Sequence, residues 1–376
     1  MPRIAIVFEF GTLNGGERSM LAVTARLRAV GELWQFVALA PPTGPLAKAL
    51  RESSIEHWPF CVRDEIGRRR PNEQLLPALI EAVQSSRPDL VHANSLAMGR
   101  LVGAASPRLS VPTVAHLRDI VRLSRRAVTD LNQNRLLIAV SEATRRFHVS
   151  QGLDDRKVSV LYNGVDCDQF QPRPATGWLR HELRLDSQAF LIGTIGQIGL
   201  RKGQDVLAEA ASRVVTWVPK AHFVLVGARY SQKEESIAFE RRLRDIFEQA
   251  GLGDRLHPLG YRYDVPQILN ELDLLVHPAK QEPLGRVLLE AAASGLPIVA
   301  TAVGGTPEIF TDDVSALLIP PNDAGALAAA IRQLAQGPEK RRQLGRAARQ
   351  RAVETFPVSR AADSLAAVWS RLIYSS

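Results

Sequence analysis

The sequence predicts an α/β protein made of two doubly wound parallel-sheet domains, and three observations carry that reading. Apolar runs of strand length alternate with helical patterns along most of the chain, as βα units around a buried parallel sheet require. Two of those units, opening at Arg3 and at Ala189, share one plan of strand, glycine loop and helix. Between them lies Gln171-Pro-Arg-Pro-Ala-Thr-Gly177, the clearest linker composition in the chain. Domains are therefore placed at 1–168 and 187–356, with a linker at 169–186 and a closing segment at 357–376.

In chain order, Arg3 to Glu9 is apolar, as a buried parallel strand should be. Gly11-Thr12-Leu13-Asn14-Gly15-Gly16 follows, then a helix from about Glu17 to Val30. Gly15 and Gly16 allow close backbone approach or positive φ. This loop lacks G-x-G-x-x-G, and the second strand, Trp34 to Ala40, ends without the acid that would hold a ribose. No P-loop pattern occurs. A helix is expected at 73–86, a strand at 89–93, a helix at 95–105 and a strand at 113–116. His92 and His116 fall at the ends of those strands, the edge where open α/β sheets bind ligands; His92 is read as structural. Residues 118–135 carry five arginines beside Ile120, Val121, Leu123 and Val128 on an expected helix. Such a helix suits an anionic membrane surface or a solvated face equally. A strand at 136–140, a helix at 142–150 capped by Ser141 and a strand opening at Val158 complete the first domain.

The second domain opens on Ala189 to Ile195, bends at Gly196-Gln197-Ile198-Gly199, and passes Arg201-Lys202-Gly203 into a helix from Gln204 to Trp217. Arginine supplies a planar fork and lysine a point charge, a good pair for two phosphates. Strands are expected at 221–226, 255–259, 272–276, 297–301 and 315–319, and tail helices near 323–335, 338–354 and 357–372.

Composition narrows the class. Of 376 residues, 45% are hydrophobic and 23% charged, ordinary for a globular chain of two domains. Two cysteines make neither a disulfide scaffold nor a metal cluster, and their scarcity fits a reducing cytoplasm. The first residues read as a strand rather than a signal peptide, and no apolar run reaches membrane-spanning length. The net charge of +8 favours anionic partners: nucleoside diphosphates, anionic lipid or nucleic acid.

Residues 277–305 carry the chemistry. Glu282 and Glu290 are separated by seven residues, with Pro283-Leu284-Gly285-Arg286 between them opening a helix from Val287. Amides around Gly285 to Val287 are then left unpaired at a helix N-terminus and can receive phosphate. Two carboxylates flanking a diphosphate can grip hydroxyls on either side. A plain amphipathic helix, with Arg286 and Glu290 as an exposed i, i+4 pair, is the bland alternative.

The string HPAKQEPLGRVLLEAAASGLPIVATAVGGTPEI resembles the E-x7-E segment of glycosyltransferase family 4, the "glycosyl transferases group 1" type. GGERSM resembles that family's N-terminal glycine loop, VSEATRRF a first-domain segment, and GQIGLRKGQD its diphosphate-binding segment. The resemblance runs from Gly15 to the strand at 315–319. It implies the GT-B fold, two Rossmann-like domains facing across a cleft. The first would be the acceptor domain and the second the nucleotide-sugar donor domain, with the last helix crossing back onto the first. It implies a retaining transferase moving sugar from a UDP- or GDP-linked donor to a carbohydrate or lipid-linked acceptor, in surface polysaccharide or glycolipid synthesis. Such an enzyme would be cytoplasmic, with peripheral contact to an anionic inner membrane face as a further expectation.

The same resemblance assigns residues. Arg201 and Lys202 would neutralise the leaving diphosphate, with amides at Gly15 and Gly16 helping. Glu290 would hold the ribose and Glu282 the donor sugar. His116, in VAHLRDI, would lie beside the reacting sugar; the roles of Arg118 and Asp119 stay open, because many relatives follow that histidine directly with aspartate. Gln197, Leu284, Gly285, Arg286 and Val287 would complete the donor contacts, and Arg262 would lie where relatives place the base. With no D-x-D motif, no metal and no cofactor is expected. A sugar-nucleotide epimerase, a phosphorylase with lysine-bound pyridoxal phosphate and a basic nucleic-acid-binding protein are the rival readings.

Overall fold

A computed structural model describes residues 1–31 and 34–374; the last two residues of the expected 357–376 segment lie outside the described residues. The chain divides into two compact units, Met1–Gly164 with Val358–Ser376, and Val165–Pro357. The first contains strands β1 (Arg3–Val7), β2 (Gln35–Ala40), β3 (Glu56–Pro59), β4 (Leu90–Ala93), β5 (Thr113–Leu117), β6 (Leu136–Ala139) and β7 (Val158–Val160). They form one sheet in the order β3-β2-β1-β4-β5-β6-β7, every pairing parallel. The second contains β8 (Phe190–Ile195), β9 (Ala221–Val226), β10 (Leu256–Gly260), β11 (Leu274–His277), β12 (Ile298–Thr301) and β13 (Leu317–Ile319). Their order is β10-β9-β8-β11-β12-β13, again all parallel.

Apolar strands are needed because helices cover both faces of each sheet. Along β1 the two-residue period divides the side chains: Ala5 and Val7 enter one core, Ile4 and Ile6 the other. The second core is closed by the helix Val358–Tyr374, whose Ala362, Leu365 and Trp369 pack with Ile4, Ile6 and Ile138. That helix lies on the helix Gly15–Ala29 and on β4. In each sheet the winding direction reverses once, between β1 and β4 and between β8 and β11. Loops leaving the carboxyl ends of those four strands part there, which is where doubly wound sheets bind ligands.

Several expectations change. The helix expected over 118–135 covers only Arg125–Asn132, because Ser124 caps it at Ala127 N (3.2 Å) and Arg118 is tied elsewhere. The helix expected from Glu17 begins at Gly15, and neither Gly15 nor Gly16 has positive φ. A helix at Pro45–Glu52 and the edge strand β3 were not expected. The 169–186 stretch belongs to the second unit: amides of Thr176 and Gly177 donate to the Glu271 carboxylate at 2.6 and 3.0 Å, and residues Trp178–Glu182 form a short helix. Among the described residues, no helix is long and apolar enough to cross a membrane.

Candidate active site

In the second unit, the loop after β8 meets the loop after β11. Gly203 makes this contact possible. Its φ is +65°, and a Cβ there would lie 1.9 Å from the Pro278 carbonyl oxygen. The Arg201 carbonyl accepts from Lys280 N (2.8 Å), and Lys280 Nζ reaches Asp205 Oδ2 (2.7 Å). Gln197 is held through its carbonyl by Gln204 Nε2 (2.9 Å).

Across this seam Lys202 Nζ donates to Glu282 Oε2 at 2.5 Å, and His277 Nε2 donates to the same oxygen at 2.7 Å. Glu282 is buried. Burial pushes its pKa upward, but the Lys202 charge and the hydrogen bonds from His277 and Lys202 hold it well below the usual carboxylate range. Burial pushes His277 down, against the pull of Glu282, so His277 is a neutral donor. The Glu282 carbonyl accepts from Gly305 N (3.0 Å), which fixes the backbone behind the carboxylate. The result is a half-buried cation held against a buried anion.

Gly285 then caps the helix Arg286–Ala293. The amides of Arg286 and Val287 fall in its first turn, where no preceding helical carbonyl pairs with them. The i, i+4 pair of Arg286 Nη2 and Glu290 Oε1 exists at 2.6 Å, yet it is not the solvated pair of the bland reading: Glu290 is only 8% exposed. Leu284 is buried beside it. Arg262 stands apart, forked onto Asp264 (2.7 and 2.8 Å), paired with Glu182 (2.9 Å) and set over the Trp178 ring.

In the first unit, the β1 loop and the β4 loop meet at Ser95 Oγ and Glu9 Oε2 (3.2 Å). Glu17 accepts from Asn14 N (3.0 Å) and caps the helix that Gly15 and Gly16 begin. Gly16 lies against Arg118: a Cβ on it would sit 3.1 Å from Arg118 Cδ. The Arg118 guanidinium donates to the Asn94 carbonyl and side chain (both 3.0 Å) and to Asn163 Oδ1 (2.8 Å). Burial lowers its pKa to about 10, against the pull of Glu17 and Asp119, so it remains a cation at neutral pH. His116 ends β5 and is hydrogen-bonded through Nδ1 to His92 Nε2 at 2.7 Å. Burial pushes the pKa of both rings down, His92 to about 3.

The structure thus gathers Arg201, Lys202, Gln197, Glu282, Leu284, Gly285, Arg286, Val287 and Glu290 in the second unit, and Gly15, Gly16 and His116 in the first. Sequence reasoning missed His277 and Asn94. Asn94 Nδ2 is buried with no hydrogen-bond partner, 3.8 Å from where a Gly16 Cβ would be. Position at the carboxyl end of β4 was the one signal that could have found it.

Residues 179–351 match the family model described as glycosyl transferases group 1, and residues 13–169 that described as glycosyltransferase family 4. A D-inositol 3-phosphate glycosyltransferase of Saccharomonospora viridis is 30% identical over 300 residues, 74% of this chain and 68% of that protein. The matched stretch spans about two thirds of the length of such relatives, 66% for the one from Geodermatophilus obscurus. The lipopolysaccharide core biosynthesis mannosyltransferase LpsB of Rhizobium meliloti is 27% identical over 79% of this chain and 88% of its own. Among solved structures, Anabaena Alr3699/HepE in complex with UDP and glucose superposes with a TM-score of 0.88 at 26% identity, covering 99% of this chain and all of that one.

Proposed function

The chain belongs to the glycosyl transferases group 1 family and has its GT-B fold of two parallel-sheet α/β domains; from this premise we propose that it is a retaining transferase. Its donor would be a UDP- or GDP-linked sugar, and its acceptor a carbohydrate or lipid-linked glycan of surface polysaccharide or glycolipid synthesis. The observation that carries this reading is the Lys202–Glu282–His277 cluster at the β8/β11 switch point, in which the half-buried Lys202 meets the buried Glu282 and His277, with Arg201 adjacent in sequence. When a glycosidic bond to a diphosphate breaks, negative charge grows on the leaving oxygens. Preplaced cations then favour the transition state over the ground state.

The proposed roles are those the family resemblance implies. Arg201 and Lys202 take the diphosphate, together with the amides of Arg286 and Val287. Lys202 is shared: Glu282 aims it in the resting site, and the sugar's hydroxyls compete for the carboxylate when donor binds. Glu290, steadied by Arg286, accepts from the ribose hydroxyls. His116 is assigned to the reacting sugar by the family resemblance alone. The paired cations take the part a divalent metal plays elsewhere, so turnover should persist in excess chelator.

A thermal-shift panel of nucleoside diphosphates and their sugars tests the reading. A ligand at about 100 times its Kd adds about 2.7 kcal/mol to the folded state. UDP or GDP should raise Tm, and the cognate sugar donor should turn over with an acceptor. No shift with any nucleoside diphosphate, or release of a free isomerised sugar without acceptor, would contradict it.

A further inference from the structure

We propose that Trp369 and His92 act as positioning residues that lock His116 into the tautomer protonated on Nε2. The inference rests on the assignment of His116 to the reacting sugar and adds to it what that ring is able to do there.

Three contacts decide the protonation of three rings. Trp369 Nε1 meets His92 Nδ1 at 3.0 Å, with the indole edge-on to the imidazole at 89°. An indole N–H can only donate, so His92 Nδ1 carries no proton. His92 is fully buried and neutral at any physiological pH. Its single proton is therefore on Nε2, which lies 2.7 Å from His116 Nδ1. That nitrogen can only accept, so it is bare. His116 is itself 2% exposed and kept neutral by burial, by Arg118 and by His92. Its proton is left on Nε2. The opposite arrangement would set the indole proton against a second proton across a 3.0 Å contact.

The geometry is built by the fold. Parallel β4 and β5 bring the two imidazoles together, their centroids 4.8 Å apart. The indole arrives from the helix Val358–Tyr374, clamped by edge contacts to Trp34 and Phe36 at 5.5 and 6.0 Å. None of the three rings can turn without displacing a packed neighbour. A ring fixed this way donates a hydrogen bond from Nε2 to a substrate oxygen and cannot take a proton there. His116 is then a neutral hydrogen-bond donor to the sugar, and general-base chemistry through Nε2 is excluded.

The test uses the full chain labelled with ¹⁵N-histidine, because nitrogen shifts separate protonated from bare ring positions. His92→Gln and His116→Gln spectra assign the signals. Wild type should show both histidines bare at Nδ1 and protonated at Nε2. Trp369→Phe keeps an aromatic ring at this buried position and removes the N–H together with part of the indole's volume. It should give both rings mixed tautomers and lower kcat about tenfold, with the donor's KM within about twofold. His92→Gln can accept from the indole at Oε1 and donate to His116 from Nε2, so it should restore the single His116 tautomer and most of kcat. His92→Phe can do neither and should not, although it stays folded by its melting curve.

A His116 protonated on Nδ1 in wild type would overturn the proposal, as would a Trp369→Phe protein with unchanged spectrum and kcat. Full turnover in His116→Ala would instead remove the assignment of His116 to the sugar, while the wild-type spectrum still supported the lock.

Discussion

The two switch points of the molecule handle buried polar groups in opposite ways. At β8/β11 the groups are kept charged. Glu282 is buried, yet Lys202 and His277 hold it ionised, and Arg286 meets Glu290 as a close ion pair. At β1/β4, and on neighbouring β5, burial goes largely uncompensated. It raises the carboxyls of Glu9 and Glu17 and lowers His92 and His116 until both rings are neutral. One site is suited to developing negative charge on a leaving group, which fixed cations stabilise. The other presents neutral hydrogen-bonding rings on β4 and β5 beside the Arg118 cation, whose guanidinium is held by Asn94 and Asn163.

The largest effect that sharpens this contrast should come from Lys202→Met. It removes the proposed diphosphate contact and leaves Glu282 buried without its cation. Turnover should fall by about 10²–10³-fold, and stability at pH 7 by about 3–5 kcal/mol. The pH dependence gives the sign. In wild type the folded pKa of Glu282 is depressed, so its contribution is present above about pH 4.3 and lost as pH falls below that. In Lys202→Met burial dominates and the folded pKa rises, so lowering the pH toward 5 should recover part of the lost stability. Melts of both proteins from pH 7 to 4 check this.

A middle-sized effect belongs to the first unit. His92 is depressed to about 3 in the folded state. Folding is therefore penalised once pH drops below the unfolded value of about 6.5, at a rate approaching 1.4 kcal/mol per pH unit. His92→Gln should remove that share of the acid sensitivity between pH 6.5 and 4.5, whereas Glu282→Gln should not, because it takes away the partner that holds the pKa of His277 up. Denaturant titrations at three pH values separate the two.

The smallest effect is expected at Gly16→Ala. The new methyl would meet Arg118 Cδ at 3.1 Å, and the guanidinium is held on Asn94 and Asn163, so the neighbour must shift by a few tenths of an ångström. Better helix propensity offsets part of the cost, and the net change should stay within about 1 kcal/mol. A larger loss would mean that the Arg118 cradle is stiffer than its hydrogen bonds to Asn94 and Asn163 imply.

How much could be read in advance differs between the two regions for the same physical reason. Charged residues at fixed spacing after a glycine turn are visible in a sequence, so Arg201, Lys202, Glu282 and Glu290 were all singled out as candidates. His277 was not, because a histidine ending an apolar strand looks like core until its carboxylate partner is seen. In the first unit the deciding groups are neutral and remote: Trp369 is 277 residues from His92 and gives no local pattern. Asn94 acquires meaning only through Arg118 and Gly16. The sheets were readable from apolar runs, except β3, an edge strand of Glu56-His57-Trp58-Pro59 with too little burial to look like one. The helix at Pro45–Glu52 was hidden by the prolines and glycine before it. The 118–124 segment stays outside the helix, with Arg118 anchored to Asn94 and Asn163, which basic amphipathic patterning does not reveal.

Calorimetry of bare UDP and GDP binding tests the central claim most directly, that the β8/β11 site holds the nucleoside diphosphate by charge. Wild type should bind one of them. Glu290→Gln, which loses an ionised acceptor for the ribose, should bind about tenfold or more weakly, as loss of a charge-assisted hydrogen bond predicts. Glu282→Gln, at the residue proposed to hold the donor sugar, should bind within about threefold of wild type while turnover with the sugar donor collapses. Equal weakening in the two variants, or no binding by wild type, would contradict the account.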